Sequence, residues 1–173
     1  MVQCDIGDAV AFFVIDGQVD LRFPLLPALL KWNYICGVRM EGVVIDTNVF
    51  VAAGFNPKSA SACILAGLRE GRFRLVWNEP TRRETEMILR RIPRLDWQRF
   101  ADLFRPQDEF TGPVDPDAFT VITDPDDRKF AALSAAANAP LVTSDRLVLA
   151  QGETIGIEIL TPREFLARHE ESG

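Results

Sequence analysis

Four acidic residues stand at the edges of apolar runs spread over a hundred positions of this chain. They are Asp46 in Val43-Val44-Ile45-Asp46-Thr47-Asn48, Glu84 in Thr81-Arg82-Arg83-Glu84, Asp127 in Asp124-Pro125-Asp126-Asp127, and Asp145 in Leu141-Val142-Thr143-Ser144-Asp145. Two of them, Asp46 and Asp145, end β-like runs, where a parallel sheet opens its ligand crevice. Carboxylates drawn together repel one another, so such a group persists where a cation offsets it. Oxygen ligands of this hardness select Mg²⁺ or Mn²⁺. That is the donor set of metal-dependent phosphodiester chemistry.

Each acid also has a plain structural role open to it. Asp46 is placed to cap a helix starting near Asn48. Glu84 shares a helix face with Ile88 and Arg91, so it is placed either for a pocket wall or for an ion pair. Glu86 competes with it but points away from Ile88. Asp124, Asp126 and Asp127 open a helix, where the macrodipole favours acids. Asp124 or Asp126 is expected to cap, and either is an alternative to Asp127 as a ligand. Asn48 offers a further oxygen or a hold on Asp46, and Thr143 and Ser144 offer hydroxyls beside the site. Convergence of all four acids at one sheet edge is the functional expectation.

The elements that must position them alternate. Residues 42–46 form a continuous apolar run, as a strand covered on both faces does. Ser59 to Glu70 reads as a helix stopped by Gly71. Phe73 to Trp77 reads as a strand. Asn78 caps a helix from Glu79 to Arg91 with Pro80 in its first turn. Asp96 caps another from Trp97 to about Phe104, before Pro106. Residues 107–118 read as an acidic loop and Phe119 to Ile122 as a short strand. A helix from Asp126 to Asn138 follows, then a strand Leu141 to Thr143, a short helix or turn Asp145 to Leu149, and a last strand Ile157 to Leu160. Thr161 caps the final helix, with Pro162 at its first position. This order predicts an α/β fold with three α/β/α layers and a central, mainly parallel sheet.

Residues 1–39 differ in character. They hold Phe23-Pro24-Leu25-Leu26-Pro27 and Trp32-Asn33-Tyr34-Ile35-Cys36 and carry no sustained helical period. They read as an N-terminal extension, either upstream of a natural start at Met40 or packed as an extra element. Residues 40–173 read as the catalytic domain. Asp5 and Asp8 stand where a secretory signal carries Lys or Arg. No run reaches the ~18 apolar residues of a membrane span. Three cysteines without C-x-x-C spacing suggest reduced thiols and a cytoplasmic setting, with no membrane partner.

The net charge of −6 opposes general nucleic-acid binding, but the charges are segregated. Residues 69–105 hold ten basic and six acidic side chains, and the residues after Arg105 hold five and thirteen. A basic rim beside a carboxylate pocket is one consequence, and solvated helix faces are the other. The sequence excludes several classes. The only histidine, His169, lies near the end and is expected at the surface, which fits a chemistry that needs no Ser-His-Asp or Cys-His machinery. There is no G-x-x-x-x-G-K-[ST] loop and no G-x-G-x-x-G. A haloacid-dehalogenase-type phosphatase needs a second Asp two residues after the first, where this chain has Asn48.

From Met40 onward the chain resembles the PIN-domain family, in particular the VapC-like toxins of bacterial toxin–antitoxin pairs. Val43-Val44-Ile45-Asp46-Thr47-Asn48-Val49-Phe50 is similar to the family's opening strand with its first acid. Glu84 matches the helix-borne acid. The block from Asp127 through Ala131-Ala132 to Leu141-Val142-Thr143-Ser144-Asp145 matches the third and fourth positions. Asp124-Pro-Asp-Asp-Arg-Lys-Phe looks like a subgroup described as toxin components. The resemblance covers roughly residues 40–168 and implies a Mg²⁺- or Mn²⁺-dependent endoribonuclease that hydrolyses single-stranded RNA. Asp46, Glu84 and Asp127 would bind a first metal, and Asp145 would complete the site or bind a second. The Arg82-Arg83 and Arg90-Arg91 pairs would contact RNA phosphates, in a groove where a cognate antitoxin also docks. A homodimer is implied as well. Trp77 and Trp97 are placed either for base stacking or for the core. The alternative to a nuclease is an inactive PIN-like module that binds RNA or an antitoxin.

Overall fold

The computed structural model describes residues 40–170 and, before them, residues 14–15 and 18–19. The chain divides into two units, Met1–Arg39 and Met40–Gly173. In the first, β1 (Val14–Ile15) pairs antiparallel with β2 (Gln18–Val19), Val14 opposite Val19. The prolines and aromatics singled out in that stretch lie outside the described residues.

The second unit carries a four-stranded sheet in the order β4-β3-β5-β6, with every pairing parallel. Its strands are β3 (Glu41–Ile45), β4 (Phe73–Leu75), β5 (Leu141–Val142) and β6 (Ile159–Leu160). The chain runs from β3 to β4 on one side and returns to β5 on the other. The crevice of such a sheet therefore opens between the ends of β3 and β5.

Side chains alternate across the strands and feed a separate core on each face. Val43, Ile45, Leu75 and Val142 pack with Val49 and Phe50 of α1 (Thr47–Phe55), with Ile64, Leu65 and Leu68 of α2 (Ala60–Arg69), and with Leu89 of α3 (Glu79–Arg91). Phe100 of α4 (Gln98–Ala101) and Phe165 of α8 (Pro162–Glu170) complete that core. On the other face Val44, Val76 and Leu141 meet Phe130 and Leu133 of α5 (Arg128–Ala137) and Val148 of α6 (Arg146–Leu149). A short α7 (Gly152–Ile155) precedes β6. These are the three expected layers. Each wholly buried aliphatic or phenyl group contributes about 1.5–3 kcal/mol.

Local chemistry fixes the element ends. Ser59 Oγ accepts the Ala62 amide and starts α2. Asn78 and Thr81 form a reciprocal capping box on α3. Thr161 and Glu164 exchange backbone-to-side-chain bonds at the start of α8. Asn138 ends α5 in the left-handed region, at φ 49°.

Three local expectations are corrected. Residues 119–122 do not form a strand. Asp115 accepts the Asp117 amide and opens a 3₁₀ turn at Pro116–Phe119, and the fixed φ of Pro116 suits that turn. Neither Asp124 nor Asp126 caps α5: Asp124 Oδ1 accepts the Asp126 amide at 2.9 Å, and Asp127 takes the cap position without a side-chain bond. His169 is not a free surface residue. Its ring packs on Phe73 and Phe165, with Nε2 3.2 Å from Glu41 Oε2, while Arg168 reaches Glu41 and Glu158.

Candidate metal centre at the sheet edge

Asp46 leaves β3 and caps α1 with the same carboxylate. It is 4 % exposed. Its Oδ2 accepts the Thr143 hydroxyl at 2.5 Å and Asn48 Nδ2 at 3.3 Å, and its Oδ1 accepts the Asn48 amide at 3.3 Å. The capping role open to Asp46 is thus filled, by a carboxylate that stands at the C-terminal end of β3. Burial raises its pKa, against the pull of Thr143 and Asn48, and Asp145 adds to the rise.

Glu84 comes from α3, which is tied to α1 beneath it. Thr47 Oγ1 lies 3.3 Å from Glu84 Oε1 and 3.0 Å from Thr85 Oγ1, and Thr85 in turn donates to the Thr81 carbonyl. Burial raises the Glu84 pKa, Lys129 and Thr47 oppose that, and Asp46 contributes to the rise. Thr47 and Lys129 escaped the sequence analysis. Lys129 Nζ donates to Glu84 Oε2, with Asp126 Oδ1 3.4 Å away. The lysine was visible in Asp124-Pro-Asp-Asp-Arg-Lys-Phe, but nothing in its spacing pointed across to α3.

Asp127 is half-buried at the start of α5, while Asp124 is exposed and the Asp126 side chain is 84 % exposed. Its carboxylate accepts no hydrogen bond among the described residues. Burial, then the charges of Asp46, Asp124, Asp145 and Glu84, push its carboxyl up to about 7. The other three sequence-selected acids are therefore its electrostatic neighbours. Asp145 follows β5, is partly buried, and turns Oδ1 onto the Leu147 and Val148 amides at 2.7 and 3.3 Å. Thr143 is fully buried and accepts the Asp145 amide at 3.0 Å, so one hydroxyl links two of the acids. Ser144 is exposed.

Among the described residues, no three potential ligands are gathered as a finished metal site. Three of the carboxylates rest instead on donors of the chain: Asp46 on Thr143, Glu84 on Lys129, Asp145 on two helix amides. The donor set still fits a hard divalent cation, because it is all oxygen and Asp127 has no donor of its own.

Residues 42–147 match the family described as the PIN domain. The chain belongs to the PIN-domain family. No curated protein matches it. PIN domains are generally nucleases, typically use divalent metal ions, and bind RNA, and the all-parallel three-layer fold agrees with that assignment.

The basic residues of α3 in this PIN domain are mostly paired along the helix. Arg82 bridges Glu79 and Glu86, each at 3.0 Å, Arg83 pairs with Glu79, and Arg90 pairs with Glu86. Arg82 and Arg83 hold the exposed Glu79 carboxyl down at about 2. Arg91 is exposed and has no ion-pair partner among the described residues. Trp77 and Trp97 are buried at 7 % and 6 % exposure, which assigns both to the core and away from base stacking. Among the described residues no single helix is long and apolar enough to cross a membrane.

Proposed function

We propose that this PIN domain is a Mg²⁺- or Mn²⁺-dependent endoribonuclease acting on single-stranded RNA, and that it serves as the toxin of a toxin–antitoxin pair in the cytoplasm. The observation that carries the reading is the common field of Asp46, Glu84, Asp127 and Asp145, most evident in an Asp127 carboxyl raised to about 7 by burial and by its acidic neighbours. Such a group is worth maintaining where a cation relieves it. A bound metal would supply water activation and charge stabilisation at the phosphate.

The chain's own residues have separable tasks. Asp46 would be a ligand aimed by Thr143 and Asn48. Glu84, steadied by Thr47, and Asp127 would complete the first site, and Asp145 would close it or hold a second ion. The arginines of α3 would line the path of the RNA, and the antitoxin would cover the same path. A homodimer, and a functional domain beginning at Met40, belong to the same proposal. Mass spectrometry of the native N-terminus tests the last of these.

One observation favours the inactive binding module instead: Lys129 sits on Glu84, so a cation is already present there. Cleavage of labelled single-stranded RNA with Mg²⁺, Mn²⁺ or EDTA, beside Asp46→Asn, separates the two. Metal-dependent cleavage that falls at least ~100-fold in the variant is expected. Absence of both cleavage and metal binding in the wild type would overturn the nuclease reading.

A further inference from the structure

Lys129 is the cationic side chain that stands among the acids of the sheet edge. Its ammonium contacts Glu84 Oε2, and Asp126 Oδ1 lies 3.4 Å away. The Lys129 side chain is 19 % exposed and that of Glu84 15 %, so this contact is shielded from water. Asp126, by contrast, is 84 % exposed and stands one helical turn back on the entry to α5. The ammonium therefore has an inner partner in the site and an outer one at its rim.

Three of the four arginines of α3 are already committed to other acids. Arg82, Arg83 and Arg90 are engaged by Glu79 and Glu86. Lys129 also ties α5 to α3, and so holds together the two helices that carry Asp127 and Glu84.

We propose that Lys129 is a positioning residue that occupies the cation's place on Glu84 and has to move off Glu84, toward Asp126, when a divalent ion binds. This rests on the reading of the acids as a metal centre. The ammonium holds Glu84 Oε2, and a divalent ion bound to the same carboxylate would stand close enough to it for the two cations to repel, which drives the lysine toward Asp126. The lysine thus ties Glu84 to the helix that follows Asp127 and sets a threshold of metal concentration for binding there.

The test is a calorimetric Mn²⁺ titration of the full chain, wild type against Lys129→Met, with reductive methylation of wild-type lysines as a second readout. Loss of the competitor is expected to tighten Mn²⁺ binding about tenfold, equivalent to ~1.4 kcal/mol. Methylation of Lys129 is expected to rise several-fold on adding Mn²⁺, while Lys58, exposed and remote in sequence, stays constant as the reference. Equal or weaker binding by Lys129→Met would overturn the proposal, as would a Lys129 that stays protected in Mn²⁺-saturated wild type. If Lys129→Met does not fold, the methylation result decides alone. If neither protein binds Mn²⁺, the metal-centre reading falls, and the role of Lys129 with it.

Discussion

Replacing Asp127 by Asn should make the metal-free protein more stable. The carboxyl ordinarily titrates at 3.8 and here is raised to about 7. The sign follows from proton linkage. Between pH ~4 and ~7 the folded state binds a proton that the unfolded state has released, so stability falls as pH rises through that window. Above pH 7 the whole penalty is present. A gap of about 3 pH units corresponds to ~4 kcal/mol for a fully shielded group. Asp127 is only half-buried, so screening by water reduces this to roughly 2 kcal/mol. The substitution breaks no side-chain hydrogen bond among the described residues. It does forfeit a negative charge at a helix start, worth about 0.5 kcal/mol. The net expectation at pH 8 is a gain of ~1.5 kcal/mol, or about 3–6 °C in Tm for a chain of this size. Urea unfolding in EDTA at pH 4 and pH 8 measures it. The variant should match or fall slightly below the wild type at pH 4 and exceed it at pH 8. Lower stability than the wild type at pH 8 would refute the account of Asp127 as a carboxylate held in place against repulsion.

Two further outcomes test the framework around the acids. Thr143→Val keeps the shape of a fully buried side chain but removes its bonds to Asp46 and the Asp145 amide. It should cost about 2–3 kcal/mol in urea unfolding and weaken Mn²⁺ binding in calorimetry, because Asp46 loses its closest donor. Glu86→Gln releases Arg90 from its ion pair on α3, while Arg82 keeps its pair with Glu79. Unfolding should change by less than ~1 kcal/mol. Affinity for labelled single-stranded RNA in EDTA, read by anisotropy, should rise, and its salt slope should steepen by about 0.7 for each new phosphate contact. Unchanged affinity would remove Arg90 from the RNA path.

The strands, most caps and the layer arrangement could be read from the sequence because they rest on local signals. Examples are the apolar run before Asp46, Asn78 before Glu79-Pro80, and Thr161-Pro162 with Glu164. The strand from residue 119 could not be read correctly, because Phe, Thr, Val and Ile look extended while Asp115-Pro116 sets the backbone into a turn. The arginine roles were half legible. Glu79, Arg82, Arg83, Glu86 and Arg90 are spaced three and four apart, and that spacing alone announces ion pairs along one helix. Lys129 on Glu84 was not legible, because it bridges 45 residues and two helices. The burial of His169 depends on Phe73, which lies in a strand far from it in sequence.

The bond from Thr143 to Asp46 spans 97 residues, and all the pairings of the main sheet are parallel, so no hairpin assembles any of it early. During synthesis, Asp46 and Glu84 emerge from the ribosome long before β5 exists to orient them. The carboxylates come together only when nearly the whole domain has been made. The group of four acids is therefore a property of the completed domain and is absent from the nascent chain.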